Sequence, residues 1–356
     1  MASIGFISDE RLKNLPDRHH AAHEFCFHLH DLMAGLLVEM SETNASVVSF
    51  KIEEKDKEID LSEVVDIFDY LEKSGRPEVA KRATLNHINL ALFSDMLHFI
   101  YESLIALEKR KFSVALSLLR KPFKEGLILV TWMCAAEDEF YDNLKNDPAK
   151  TFDQAEISRE KKIELLQAAK ERCDGADFID PTMIHDLLYD RKNEFGLAPL
   201  FDKATHLVTR NKHIATEKLN INFIFKNPLD DDLYDAFYRD IAVVLMFLNL
   251  IQIDLYSRMS ASKEKYKKWM LFSSLGAFTS IFLKGRSPIV RFVNGSMGDF
   301  LICPHCDERI RLKKSDAPRF FLLERLHCQG CGMEHHFPFS WLLSKIPNTT
   351  KEILSS

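Results

Sequence analysis

The sequence predicts a mainly α fold, in which a multi-helix bundle is followed by a small C-terminal β module. Apolar residues recur every three or four positions from Arg18 to about Leu283, which is the spacing of amphipathic helices. Beyond Gly285, turn residues and short β-prone runs replace this pattern. The 356 residues are 46% hydrophobic and include only 12 glycines and 12 prolines, a composition typical of ordered globular proteins. A chain of this length exceeds what one hydrophobic core usually supports, so we expect two structural units.

Three helical patterns define the first half of the bundle. The first covers Arg18 to about Met40. A capping box of Asp60 and Glu63 then predicts a helix that ends at Gly75, because the Asp60 carboxylate can accept a hydrogen bond from the backbone N–H of Glu63. Pro77 should start the third helix, which is expected to reach about Lys109.

The second half of the bundle contains two long apolar helical patterns and two shorter polar ones. Phe112 to Met133 should pair with the preceding helix as an antiparallel hairpin. Because Pro122 has no N–H to donate, a kink is expected near Ala115 to Arg120. Shorter polar helices are predicted at about Gln154 to Cys173 and Pro181 to Arg191. Leu233 to about Met259 is apolar all round in its middle, which indicates the centre of the bundle.

The C-terminal part is predicted to contain short strands and to form a separate unit. Its β-prone runs are Phe300 to Ile302, Ile310 to Leu312, Phe320 to Leu326 and His335 to Phe339. Glycine, proline, serine and asparagine cluster just before these runs and mark a boundary. We therefore divide the chain into a helical bundle domain at 1–285, a linker at 286–297, the C-terminal module at 298–345 and a tail at 346–356.

Two Cys-x2-Cys pairs carry the most specific chemical signal in the sequence. Cys303 with Cys306 and Cys328 with Cys331 are separated by 21 residues. Each pair can form a tight turn that points both thiolates to one side, and two facing turns complete a tetrahedron around Zn²⁺. Four thiolates leave no position open for an activated water, so the predicted role of the Zn²⁺ is structural.

These cysteines and their surroundings resemble the zinc ribbon, a small β-hairpin module found in many unrelated proteins. The resemblance covers about residues 298–340, and it implies that the four cysteines are the metal ligands. Gly332 follows the second pair and can adopt the left-handed conformation that lets backbone N–H groups point at sulfur. Asp307 holds the matching position in the first pair, although aspartate tolerates that conformation less well than glycine.

The histidines are expected to have packing or surface roles. Those closest to the cysteines, His305, His335 and His336, are interpreted as surface residues and not as spare ligands. A second group occupies one face of the first helix and consists of His19, His23, Cys26 and His30. Phenylalanines are interleaved with that group, so packing is the simpler interpretation, although two of its histidines could share a metal ion.

A basic belt, defined here as the charged residues of 258–291, is the second informative feature. It contains eight lysines or arginines against the single acid Glu264, whereas the whole chain has a net charge of −6. Such a belt can attract the phosphates of nucleic acid or of lipid head groups. A solvated helix face is the alternative interpretation of the same residues.

Arg82 and His87 suggest a different function. They enclose four residues and resemble the Arg-x4-His element of HEPN domains, helical bundles many of which cut RNA as dimers. The resemblance implies that Arg82 would hold phosphate and that His87 would act on the ribose hydroxyl. A role in defence against phage is part of this hypothesis. The residue after the arginine is Ala83, where the family usually has a polar side chain.

Two apolar segments are candidates for membrane spans. Ile241 to Ile253 covers 13 residues, well short of the roughly 20 that a bilayer requires. Trp269 to Leu283 covers 15 residues, which favours a helix packed in the protein, with a helix in a membrane interface as the alternative. We therefore expect no transmembrane segment. The short polar N-terminus lacks the apolar core of a signal peptide, so we expect a cytoplasmic protein.

The sequence thus favours a binding or adaptor protein. We expect the basic belt and the zinc module to contact nucleic acid or a protein partner, and the long apolar helices to support a homodimer. A HEPN-like ribonuclease that uses Arg82 and His87 is the first alternative, and a membrane-peripheral protein is the second. Whether the protein is an enzyme stays open at this point.

Overall fold

A computed structural model describes residues 3–54, 56, 59, 61–210, 212, 215–222, 231–283 and 287–346. Helices dominate these residues. Their one sheet is a two-stranded antiparallel hairpin that lies beside the four cysteines. The predicted mainly α fold with a small C-terminal β module is therefore confirmed.

The helices are numbered in chain order. The N-terminal half contains α1 Asp9–Leu12, α2 His20–Glu42, α3 Ile67–Lys73, α4 Pro77–Glu108, α5 Phe112–Arg120, α6 Leu127–Ala135, α7 Glu137–Asn146 and α8 Pro148–Phe152. The C-terminal half contains α9 Arg159–Arg172, α10 Pro181–Leu188, α11 Leu197–Thr205, α12 Asp232–Ser257, α13 Glu264–Phe282, α14 Pro288–Phe292, α15 Ala317–Leu323 and α16 Phe339–Ser344. The strands are β1 Arg325–His327 and β2 Glu334–His336, and residue 326 faces residue 335.

Helix α12 lies at the centre of the bundle, as its sequence predicts. Each apolar residue from Ile241 to Ile253, apart from the partly buried Val243, is buried, because α2, α6 and α13 cover different sides of the helix. Helix α4 packs against both α2 and α5, and the α4–α5 contact confirms the predicted hairpin. Burial of an all-round apolar helix in this way supplies much of the hydrophobic stabilisation of the bundle.

The helix predicted to start at the Asp60 capping box begins later. Residues 61–63 form only a 3₁₀ turn, and Asp60 lies outside the described residues. Asp66 is the actual N-cap of α3, and its carboxylate accepts hydrogen bonds from the backbone N–H groups of Phe68 and Asp69. The Asp69 carboxylate in turn accepts from the N–H of Val65, 3.0 Å away. This reciprocal pair satisfies the free N–H groups of the helix start, which is why α3 begins here.

A kink was expected between Ala115 and Arg120, but α5 continues through these residues. A wider helical turn follows directly after them. Residues Lys121–Gly126 form a π-helical turn between α5 and α6, and the N–H of Leu127 bonds to the carbonyl oxygen of Pro122. Because Pro122 has no N–H and its ring crowds the preceding turn, one extra residue per turn relieves the clash without ending the helix.

One of the β-prone runs folds as a helix. Phe320 to Leu326 was expected to be a strand, but residues 317–323 form α15 and only Arg325–His327 is extended. Pro318 stands in the first turn of α15, where proline is favoured, and Glu324 ends the helix in the left-handed conformation with φ 57°. A short apolar run does not reveal whether it will be buried as a strand or as a helix.

The C-terminal module sits on α13 through an aromatic cluster, defined here as Phe272, Phe320, Phe321 and Phe339. Their ring centroids lie 4.9 to 5.9 Å apart, and all four side chains are fully buried. Gly276 of α13 makes this approach possible, because a Cβ atom at that position would lie 2.2 Å from the Phe321 ring. One continuous core therefore joins the bundle and the module. The division at 286–297 stays a prediction.

The N-terminal segment forms a strap between α2 and the C-terminal module. The buried Glu24 carboxylate accepts hydrogen bonds from four consecutive backbone N–H groups, those of Ile4, Gly5, Phe6 and Ile7, at 2.6 to 3.2 Å. The carbonyl oxygen of Ile4 accepts from Arg319 at 3.0 Å, and Arg319 also pairs with Glu334 of β2. The strap thus bonds one bundle helix to the hairpin strand.

Two described helices, α4 and α12, are long and apolar enough to cross a membrane by length and composition. The most apolar window of α12 is 83% buried within the protein, and that of α4 is 44% buried. Core helices of soluble proteins pass the same test, so this observation is weak evidence for a membrane span. The expected absence of a transmembrane segment stays a prediction.

We predict that Gly276→Ala destabilises the protein by about 1–3 kcal/mol, because the added methyl group overpacks against Phe321. The higher helix propensity of alanine, worth about 1 kcal/mol, acts in the opposite direction. Denaturant unfolding measures the difference. Gly295→Ala is the control, since nothing lies within 4 Å of a Cβ atom there. Equal stability of the two variants would contradict the proposed close packing.

Candidate metal centre

The four predicted cysteine ligands meet at one point of the C-terminal module. Cys303 Sγ lies 3.6 Å from Cys331 Sγ, and Cys306 Sγ lies 3.6 Å from Cys328 Sγ. All four sulfur atoms lie within 4.8 Å of one another. Among the described residues they form the one group of three or more His, Cys, Asp or Glu side chains that could share a metal ion.

The two cysteine turns have the same backbone hydrogen bonds. In the first turn, the N–H of Asp307 donates to the carbonyl oxygen of Cys303, and the N–H of Cys303 donates to that of Glu308, both at 2.9 Å. In the second turn, Gly332 and Cys328 repeat the first of these bonds at 2.9 Å. Asp307 has φ 58° and Gly332 has φ 74°, so both positions adopt the predicted left-handed conformation. Each turn therefore aims its two sulfur atoms to one side.

The sulfur separations fit a tetrahedral metal site. Metal–sulfur bonds of about 2.3 Å give tetrahedral sulfur–sulfur edges of about 3.8 Å, close to the two observed contacts. The cluster thus suggests a metal-binding site with four thiolate ligands. No further ligand position stays open once four thiolates are bound, so the site is suited to hold the module together and not to activate water.

The packing of the sulfur atoms shifts the pKa values of two thiols in opposite directions. Burial raises the pKa of Cys303, but hydrogen bonds from the backbone N–H groups of His305 and Cys306 and from the thiols of Cys306 and Cys331 outweigh it and lower the pKa to about 6. The N–H of Glu308 lowers the pKa of Cys306, yet burial and the neighbouring sulfur atoms raise it to about 12. Ionisation of one thiol is thus favoured and ionisation of the other is opposed, because two negative charges would lie close together. A bound cation removes that repulsion.

His335 is closer to the cluster than the sequence indicated. It was expected to be a surface residue, but its Nε2 lies 3.1 Å from Cys303 Sγ. The pairing of His335 with the buried Leu326 across the hairpin explains this position, because paired residues of adjacent strands share a face of the sheet. In the tautomer with hydrogen on Nε2, the ring donates to the Cys303 sulfur. His336 points to the other face and lies 3.3 Å from Glu324.

Arg82 and His87 do not converge. Both lie on α4, but a separation of five residues turns their side chains about 140° apart around the helix. Arg82 is paired with Glu137 in a cleft that Arg258 also lines. His87 is exposed and lines a different cavity, beside Asn44. One copy of the chain therefore does not bring the two side chains of the HEPN-like motif together.

The histidine face of α2 is used for packing. His23 is fully buried, with Nδ1 2.5 Å from Tyr238 Oη and Nε2 3.2 Å from Glu108 Oε1. Burial lowers the pKa of His23, which favours the neutral ring. His19 lies 2.6 Å from Asp235 Oδ1. These contacts connect α2 to α4 and α12, so the packing interpretation is consistent with the structure.

Comparisons of the chain with protein-family models, with curated proteins and with solved structures found no match.

We predict that metal removal destabilises the protein through this cluster. If metal is supplied at about 1,000 times its Kd, chelation should lower the free energy of unfolding by about 4 kcal/mol. Cys328→Ala should bind no stoichiometric metal and should show no such dependence. Cys26→Ala, which removes a buried thiol from α2, is the control and should keep both properties. Retention of one metal by Cys328→Ala, measured by elemental analysis, would contradict the four-cysteine site.

We also predict that His335→Phe weakens metal binding by about 10-fold or more, because a hydrogen bond that orients a ligand is lost. Competition with a coloured chelator measures the affinity. His336→Phe is the matched control, since this neighbour lies on the opposite face of β2 and should leave the affinity unchanged. The absorption spectrum of bound Co²⁺ should stay that of four thiolates in both variants. Equal affinity of the two variants would exclude the proposed role.

Proposed function

We propose that the metal is a structural Zn²⁺ and that the protein binds nucleic acid through the lysines at the start of α13. Four thiolates, with no oxygen or open position among them, are the donor set that structural zinc prefers. A reducing compartment keeps such thiols available as ligands, so a cytoplasmic location is part of the proposal. No enzymatic activity is proposed.

The main support for nucleic-acid binding is the position of four lysines at the N-terminal end of α13, where positive charge destabilises a helix. Lys263, Lys265, Lys267 and Lys268 occupy the N-cap and the first turns of α13. The N-terminus of a helix carries partial positive charge, so cations are disfavoured there and anions are favoured. A lysine-rich helix end that served only solubility would be expected at the C-terminus. An anionic ligand explains the arrangement, because it is attracted by both the lysines and the helix end.

Part of this positive charge is available to a ligand. Lys265 is exposed and has no acidic partner among the described residues. Lys268 has only a distant one, with its Nζ 4.0 Å from Glu264. Lys263 and Lys267 are engaged more firmly, with Glu39 at 2.8 Å and Asp174 at 2.9 Å. Lys265 and Lys268 are therefore the lysines that we expect to contact phosphate most strongly.

The rest of the basic belt contributes less than the sequence suggested. Arg258 is half-buried in the bundle, where it pairs with Glu137 at 3.0 Å and with Asp254. Lys284 and Arg286 lie outside the described residues. Arg291 is exposed on α14. The proposed contact surface is therefore the start of α13 and not the whole belt.

The cysteine module supports this surface without adding much charge to it. Arg319 and Arg325 both pair with Glu334, and Arg309 lies 3.4 Å from Asp299. Residues 297–339 contain six lysines or arginines and six acidic residues in all, so the module offers little net attraction for phosphate. Its proposed role is to hold α13 in place through the aromatic cluster.

The competing functions have less support. Arg82 is engaged with Glu137, which leaves no free phosphate contact at the HEPN-like motif. Within Trp269 to Leu283, the segment that a membrane-peripheral protein would insert, every residue from Met270 to Phe278 is buried, and α13 packs against α2, α12 and α15. Homodimer formation stays a proposal from the sequence alone.

We predict that Lys265→Ala combined with Lys268→Ala weakens binding to single-stranded nucleic acid and makes it less dependent on salt. Loss of two phosphate contacts should reduce the slope of log K against log salt concentration by about 1.4. Fluorescence anisotropy of a labelled strand measures both quantities. Lys150→Ala combined with Lys192→Ala removes two exposed lysines from other elements and should change neither. If the wild-type protein binds no nucleic acid at low salt, the proposal is wrong.

A further inference from the structure

A cavity of about 710 Å³ lies beside the α13 lysines, between the start of that helix and the C-terminal helix α16. Among its lining residues are Lys265 and Lys268 of α13, Glu324 at the end of α15 and Ser340 of α16. The cavity is therefore walled by the bundle, by the cysteine module and by α16 together.

The apolar part of the cavity is built around two aromatic side chains. The rings of Tyr266 and Trp269 have centroids 5.4 Å apart and planes inclined by 48°, and both side chains are half-buried. Leu343 and Ile346 lie on the side of α16. A half-buried indole that lines a cavity is a platform on which a flat aromatic ligand can stack.

The charged side chains of the cavity lie in two places. Lys265 and Lys268 stand where α13 begins, and the Glu324 carboxylate lies where the module meets the helix. Trp269 Nε1 donates to Glu324 Oε1 at 3.4 Å, which fixes the carboxylate next to the indole. A ligand with a flat ring, N–H donors on that ring and a nearby phosphate would match the platform, the carboxylate and the lysines together.

We propose that this cavity takes one unstacked base of a single-stranded nucleic acid, with the base on Trp269 and the adjoining phosphates on Lys265 and Lys268. The inference rests on the proposed nucleic-acid binding and adds to it the strandedness of the ligand and the residue that receives the base. Bases paired in a duplex cannot enter such a cavity, whereas the bases of a single strand can be turned out and stacked on aromatic side chains.

The chain allows a direct optical test. Trp132, Trp269 and Trp341 are its three tryptophans, and only Trp269 lines the cavity. Trp132→Phe and Trp341→Phe together leave Trp269 as the single indole. A short oligothymidylate should then quench the fluorescence, because its base stacks on the ring. An abasic strand of the same length, which keeps the phosphates and lacks the bases, should bind with little quenching.

Affinities separate the base from the backbone. Trp269→Leu should weaken oligothymidylate binding by about 10-fold, to the level of the abasic strand, because stacking on one base is lost. Trp269→Phe should keep part of the effect, which guards against a folding defect. Trp341→Leu is the control, since that tryptophan is exposed on α16 and does not line the cavity.

Each outcome of these measurements has a defined meaning. Tighter binding of oligothymidylate than of the abasic strand, lost in Trp269→Leu, supports the base site. Equal binding of the two strands without quenching overturns the base site and leaves the lysine contacts in place. Thymidine monophosphate that binds as tightly as the strand would assign the cavity to a free nucleotide and overturn the proposal for a strand. Failure of both strands to bind overturns this inference and the proposed function together.

Discussion

The close approach of α13 and α15 at Gly276 is the contact on which the arrangement of the molecule depends. A helix position without a side chain lets the Phe321 ring lie directly on the α13 backbone, and the other three phenylalanines of the aromatic cluster pack around it. Burial of each of these four side chains stabilises the folded protein by about 2 kcal/mol. The cavity at the start of α13 requires this contact, because its walls come both from α13 and from the C-terminal module.

The strap adds a second connection between the same parts. A buried carboxylate is costly unless hydrogen bonds satisfy it, and Glu24 obtains four from consecutive N–H groups of the chain's own N-terminal segment. The segment then contacts Arg319, whose guanidinium pairs with Glu334 in the strand next to the second cysteine turn. Glu334 lies three residues after Cys331, so the strap connects the second cysteine turn to α2.

How well each feature of this chain could be predicted depends on how far apart in the sequence the interacting residues lie. The cysteine turns could be predicted, since the ligands of each pair are three residues apart and the conformation of Asp307 and Gly332 is a local requirement. The helices could be predicted where an apolar period runs for many turns, as in α12. The helical form of α15 could not, because burial against α13 decides it and a run of seven residues carries no period. His335 was missed for a similar reason: strand pairing with Leu326 turns it toward sulfur, and the register is a tertiary property.

At the start of α13, the residues present are not those that would best stabilise a helix. An acidic chain with net charge −6 has four of its lysines at the positive end of a helix, where each costs free energy and only some recover it from acidic partners. Natural sequences break local rules of this kind mainly at functional sites. An anion bound there would remove the repulsion and would stabilise the first turns of the helix that carries the cysteine module. A metal bound by the four cysteines would hold the module, which forms one wall of the cavity. Metal and anion would then stabilise the same packed state, and each would favour the binding of the other.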